Sequence, residues 1–226
     1  MSELEGTVVL VVGASGVLGA EIARLLEAKG STVVRAGRNP DHLTGSDAVL
    51  ADLTDETAAA TLVAAAARAH DRLDGIVIAA GVVAFGPASE VTDETLRGLF
   101  EVNALGPIRL IREMAPHLVA SATAGRKPFI VTFSGIVSET PTAGLAAYSA
   151  SKAALAAFMQ ASSRELRRSG IRVVDARPGH TETGLATRAI AGTAPAFPPG
   201  LVPSAVAERI VRAIVDDEKD LPSGAF

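Results

Sequence analysis

The sequence has no cysteine. That excludes disulfides and thiolate chemistry, and it fits a reducing compartment. It has no long hydrophobic run either: "VVLVVGA" falls far short of the roughly 20 apolar residues a membrane helix needs. No basic tract breaks the charge pattern. The 25 acidic residues outweigh the 21 Lys and Arg for a formal charge of -4, which argues against nucleic acid as a partner. The opening "MSELEGT" is polar and acidic, unlike a leader segment. The four histidines, His42, His70, His117 and His180, lack metal-ligand spacing. The expectation is a soluble cytoplasmic protein that holds no metal and binds neither membrane nor nucleic acid. Tyrosine is nearly absent too: Tyr148 is the one phenol in the chain.

What is present is apolar and periodic. Hydrophobic residues make up 48% of 226, enough for one sizeable core. Apolar strands are expected at Thr7 to Val12, Ser31 to Ala36, Asp47 to Asp52, Gly75 to Gly81, Lys127 to Ser134 and Ile171 to Gly179. Helices are expected between them at Leu18 to Lys29, Thr57 to His70, Asp93 to about Ala120 and Ala146 to Arg168, and finally at Ser204 to Glu218. Pro107 and Pro116 are places where the long third helix could kink or break. Alternation of this kind predicts βαβ units and an α/β fold, a single doubly wound parallel sheet over residues 1–226. The Pro- and Gly-rich stretch 192–203 lies too near the end of the chain to divide two domains. With the residues from Thr183 onward it is expected to form an apolar lid, with Phe197 as its one aromatic.

"VVGASGVLGAEIARLL" sets Gly13, Gly16 and Gly19 between the first strand and first helix. Gly13 suits a tight turn, Gly16 a close backbone approach to a pyrophosphate, and Gly19 the packing of helix on strand. The helix N-terminus adds free N–H groups for an anion. Gly13, Ser15, Gly16, Val17, Leu18 and Gly19 are therefore candidate dinucleotide contacts. An NAD site wants an acid at the end of the second strand, to hold a ribose 2′-OH. Here "VVRAGRNP" offers Gly37 in that place and Arg38 after it, with Arg35 nearby. A guanidinium can pair a 2′-phosphate, so NADP(H) is favoured over NAD(H).

"AAYSASKAAL" puts Lys152 four residues after Tyr148, on the same helix face. A free phenol ionises only near pH ~10. A neighbouring ammonium stabilises the phenolate, so the pair is expected to act as an acid/base of lowered pKa, matched to a carbonyl or an alcohol.

These motifs, with "VNALG" (102–106), "FSG" after the fifth strand and "RPGHTET" (177–183), resemble the short-chain dehydrogenase/reductase family along nearly the whole chain. The resemblance implies a single Rossmann-type domain, and a small-molecule carbonyl or alcohol as substrate. It implies Tyr148 as general acid/base and Lys152 as its partner on the nicotinamide ribose. It implies Asn103 as the holder of a water in a proton relay. It places Asp52 and Leu53 at the adenine, Ala80 and Gly81 under the cofactor, and Pro178, Gly179 and Thr183 at the carboxamide.

The chain also departs from the family pattern. The loop is G-x-x-G-x-x-G, with Val12 and Val17 where Thr and Gly are usual. "IAAG" (78–81) replaces N-N-A-G. The family's catalytic serine stands thirteen residues before the tyrosine, and that position is Gly135. Ser134 is the favoured replacement, with Ser138, Thr140 or no hydroxyl as alternatives. The missing hydroxyl and asparagines keep open a dinucleotide-binding sensor or scaffold that has lost turnover. A nucleotide-sugar epimerase fits less well, lacking a C-terminal substrate domain. "DLPSGAF" falls where a seventh strand would start. A homodimer through the helices holding Asn103 and Tyr148 is therefore expected, and a tetramer is the alternative.

Overall fold

In the computed structural model, which describes residues 4–43, 45 and 47–226, six strands form one parallel sheet. Met1 to Glu3, part of the opening stretch read above, lie outside the described residues. The strands are β1 (Val8–Val12), β2 (Thr32–Gly37), β3 (Val49–Leu50), β4 (Gly75–Ile78), β5 (Phe129–Phe133) and β6 (Arg172–Ala176). Their order is β3-β2-β1-β4-β5-β6. The direction of winding reverses between β1 and β4, the switch point where doubly wound sheets open a crevice at their carboxyl ends.

Burial explains the unbroken apolar strands. Helices α1 (Val17–Ala28) and α6 (Pro203–Val215) cover one face. There Ile22, Leu26, Ile210 and Ile214 pack on Val9, Val11, Val77 and Val131. Helices α2 (Ala58–His70), α4 (Gly106–Thr123) and α5 (Ala146–Leu166) cover the other. There Leu62, Leu110, Met114, Leu155 and Met159 pack on Leu10, Ile76, Ile78 and Ile130. Every strand but the edge strand β3 thus feeds two cores through alternate residues.

The long third helix divides differently from expectation. It comprises α3 (Asp93–Phe100), a π-helical turn at Glu101–Leu105, and α4. Pro107 follows directly on the π turn at the start of α4, and Pro116 lies inside that helix. The irregular turn instead carries "EVNAL" and with it Asn103. Insertions of this kind are frequent at functional sites.

Past β6 a single parallel bridge joins Ala176 to Leu221, and the Leu221 side chain is fully buried. The lid stretch is anchored at both ends. Ala191 bridges Ala84, Leu201 bridges Thr181, and the ring of Phe197 stacks on His180 with centroids 4.7 Å apart. Among the described residues, no helix is long and apolar enough to cross a membrane.

Candidate active site

The glycine loop works through side chains it does not have. Gly13 has φ +88°, and a Cβ there would lie 2.6 Å from the Ala80 nitrogen. A Cβ on Gly19 would lie 2.3 Å from the Gly13 oxygen. These two glycines let strand, loop and helix touch. Gly16 is different: a Cβ there would meet only the Gly13 oxygen, at 3.4 Å. Gly16 caps α1 without a side-chain hydrogen bond, and the first turn of the helix has no acid. Bare N–H groups and an uncompensated helix dipole therefore face the crevice, a fit to a dinucleotide pyrophosphate. Ser15 and Leu18 are half-buried and Val17 is exposed at the helix start.

At the end of β2, a Cβ on Gly37 would lie 2.7 Å from Ser15 Oγ. An acid there would displace the loop. Arg35 is paired with Glu27 through both guanidinium nitrogens. Arg38 is exposed beside it, so of the two arginines read from sequence only Arg38 lacks that carboxylate.

Asp52 uses one oxygen to accept from the Thr54 backbone and hydroxyl, and so caps its own turn. Leu53 is buried against Gly106. Ala80 and Gly81 follow β4 across from the loop, and Pro178, Gly179 and Thr183 follow β6, all partly exposed.

Tyr148 lies in the first turn of α5, half-buried. Lys152, one turn on, is 5% exposed, with its Nζ 6.0 Å from the tyrosine ring centroid. The ammonium donates to the Phe133 carbonyl at 2.7 Å. Asn103 comes in from the π turn. Its Oδ1 accepts from the Val82 nitrogen at 3.0 Å, and its Nδ2 donates to the Val82 oxygen and to Ser151 Oγ. A Cβ on Gly81 would sit 3.3 Å from Asn103 Oδ1 and 3.4 Å from Lys152 Nζ. Three distant segments thus converge on one glycine, where a Cβ would press closely on the amide and the ammonium.

The electrostatics depart from the simple expectation. Burial pushes the Tyr148 phenol up to about 12 rather than down. Burial also pushes Lys152 down to about 8, opposed by the charge of Asp175. Desolvation is the leading cause for both groups, and the ammonium donates to the Phe133 carbonyl.

Ser134, the favoured hydroxyl, directly follows β5. It is fully buried, and its hydroxyl donates to Asp175 Oδ2 at 2.5 Å while accepting from Ser138 Oγ at 3.0 Å. A hydroxyl has one proton. In this arrangement the Ser134 proton is engaged by Asp175 rather than offered to the crevice. Gly135, in the usual serine position, has φ +72°, and a Cβ there would meet only the Pro178 oxygen, at an ordinary 3.7 Å. Ser138 is half-buried, and its one proton is shared between Ser134 Oγ and the nearer Gly135 oxygen at 2.7 Å, while Thr140 is exposed.

Asp175 itself escaped the sequence reading. It sits on β6 and is 8% exposed. It accepts from Thr132 Oγ1 at 2.9 Å and from the Ser134 nitrogen at 3.2 Å, with Arg177 Nη1 at 3.5 Å. Burial raises its carboxyl, against the lowering by those hydrogen bonds and by Arg177. The available signal was an acid in the apolar stretch "VVDA" of β6.

An apolar wall adjoins Tyr148. Val83, Phe85 and Leu145 form a buried cluster there, with Val137, Leu185 and Ala189 packed against it.

Comparison with known proteins places the chain. The short chain dehydrogenase family model matches residues 7–193. An uncharacterized oxidoreductase of Methylorubrum extorquens is 35% identical over 206 residues, which cover 85% of this chain and 81% of that one. A 3-ketoacyl-(acyl-carrier-protein) reductase of Brucella melitensis, solved with NADH, superposes with a TM-score of 0.85 at 24% identity, covering 97% of both chains. A short chain dehydrogenase of Burkholderia cenocepacia, solved with NADP, superposes with a TM-score of 0.82 at 25% identity, covering 99% of this chain and 90% of that one.

Proposed function

The chain belongs to the short-chain dehydrogenase family, and from that premise we propose that it is an NADP(H)-dependent oxidoreductase interconverting a carbonyl and a secondary alcohol on a small apolar substrate. The observation that carries this reading is the convergence of Lys152 and Asn103 on Gly81, with Tyr148 one helical turn away and the glycine loop across the crevice.

A nicotinamide dinucleotide bound along the loop supplies or accepts the hydride. Gly16 and the first turn of α1 hold its pyrophosphate, and Arg38 pairs the 2′-phosphate that favours NADP(H). Tyr148 gives its proton to the carbonyl oxygen, or takes one from the alcohol. Burial pushes the phenol up to about 12, so it keeps its proton at neutral pH, and transfer in either direction depends on nearby positive charge bringing it back toward the operating pH. Lys152 supplies the positive charge against which the phenolate forms. Asn103 ties the end of β4 to α5, so the two halves of the site hold their spacing. The apolar cluster around Phe85 and Leu145 favours an apolar substrate body. The domain spans the chain, and the helical stretch through Asn103 together with α5 forms the face of a homodimer.

Incubation with NADPH and a panel of carbonyls, followed by the loss of nicotinamide absorbance, tests the reading. Oxidation of NADPH by apolar ketones or aldehydes is expected. Tight NADPH binding without turnover of any carbonyl or alcohol would instead favour a sensor, a reading supported by the bound proton of Ser134 and the bare Gly135.

A further inference from the structure

One peptide unit at the end of β5 lies between two buried charges. The amide joining Phe133 to Ser134 accepts at its oxygen from Lys152 Nζ at 2.7 Å, and donates from its nitrogen to Asp175 Oδ1 at 3.2 Å. Cation and anion stand at opposite ends of one amide dipole. Each hydrogen bond polarises the amide in the sense that strengthens the other. Both charges are nearly inaccessible, at 5% and 8% exposed. A buried ammonium is costly unless a counter-charge compensates it. The carboxylate is also held in place by Thr132 Oγ1 and Ser134 Oγ.

We propose that Asp175 is a positioning residue: it is the counter-charge that keeps Lys152 protonated and aimed at the Phe133 carbonyl, one turn from Tyr148. Its charged and titratable surroundings are Lys152 and Tyr148 from α5 and Arg177 at the end of its own strand. Through Arg177 they extend to Glu139 after the Gly135 turn and Asp220 near the end of the chain. Asp175 therefore faces two cations, Lys152 across the amide and Arg177 at 3.5 Å, and Arg177 is itself shared with Glu139 and Asp220. Burial brings the ammonium down to about 8, so it is charged at neutral pH by a narrow margin, and the opposing contribution is that of Asp175.

The proposal rests on the role given to Lys152 above. Its test reads Lys152 directly in protein without substrate, so failure of the reaction and failure of the proposal look different. The chain has four lysines, at 29, 127, 152 and 219, so ¹³Cε-lysine labelling gives a resolvable NMR titration. Asp175 stabilises the charged form, and its removal therefore lowers the midpoint. In Asp175→Asn the Lys152 midpoint is expected to fall by roughly one pH unit, with the other three lysines unmoved. The alkaline limb of the pH–rate profile should fall by the same amount. A Lys152 midpoint unchanged in Asp175→Asn, even in a slower or less stable variant, makes Asp175 merely structural and overturns the proposal. If Asp175→Asn does not fold, linkage supplies the reciprocal measurement. In Lys152→Met the Asp175 carboxyl, followed by its ¹³Cγ shift, should titrate at higher pH than in the unaltered protein. No change there overturns the proposal as well.

Discussion

The loop at residues 13–19 and the corner where β5 and β6 meet α5 stand on opposite sides of the crevice, and they are built from opposite materials. The loop, "GASGVLG", has no charged side chain. It offers backbone, and its geometry follows from missing Cβ atoms. The corner buries an ammonium, a carboxylate and two hydroxyls around one peptide bond. A ligand held by backbone can be accommodated by almost any sequence that keeps its glycines. Chemistry that depends on buried charge requires each partner to satisfy the next.

Substitutions can break this contrast, and Tyr148→Phe should have the largest effect. Turnover should fall by about 10²- to 10⁴-fold, the range of general acid–base catalysis. Dinucleotide affinity, measured by fluorescence titration, should stay within a factor of two or so, since the loop across the crevice is untouched.

Two loop glycines should then separate from each other. Gly13→Ala places a Cβ 2.6 Å from the Ala80 nitrogen at a positive φ and should cost about 2–4 kcal/mol in denaturant unfolding. Gly16→Ala meets only the Gly13 oxygen at 3.4 Å. It should change stability by less than about 0.5 kcal/mol, while Kd for the dinucleotide rises at least about tenfold as the backbone is held off the phosphate. Equal losses of stability in the two variants would erase the distinction between a fold glycine and a ligand glycine.

Arg38→Ala comes next. A charged hydrogen bond contributes about 1.5–3 kcal/mol, so NADPH should bind about tenfold to a hundredfold more weakly with NADH little changed. Parallel weakening of both would remove the 2′-phosphate from the account.

Gly135→Ser should have the smallest effect. Its Cβ has room, 3.7 Å from the Pro178 oxygen, but its φ is +72°. We expect a stability loss of about 1 kcal/mol. We also expect a rise in kcat smaller than the about 10²–10³ of one well-placed donor. A fall in kcat would mean that the open space at Gly135 is occupied by substrate.

The sheet was legible in the sequence because both of its faces are buried, so unbroken apolar runs mark its strands. The edge strand β3 was overcalled as Asp47 to Asp52 and comprises only Val49 and Leu50, since an edge with few neighbours depends on pairing more than on composition. The helix from Asp93 onward was legible too. Its π turn was not, because the prolines that drew attention are tolerated where they stand and the turn is held by contacts from Asn103 to Val82 and Ser151.

The sequence by itself determined the αβ alternation, the glycines at 13, 16 and 19, the absence of an acid after β2, and the spacing of Tyr148 and Lys152. Each of these is a property of residues near one another in the chain. Only the tertiary structure decided that Ser134 gives its proton to Asp175, that Arg35 belongs to Glu27, and that Lys152 faces the Phe133 carbonyl. Those outcomes join segments tens of residues apart. They depend on which way buried polar groups turn once water is gone, a choice made by the packed partners around them.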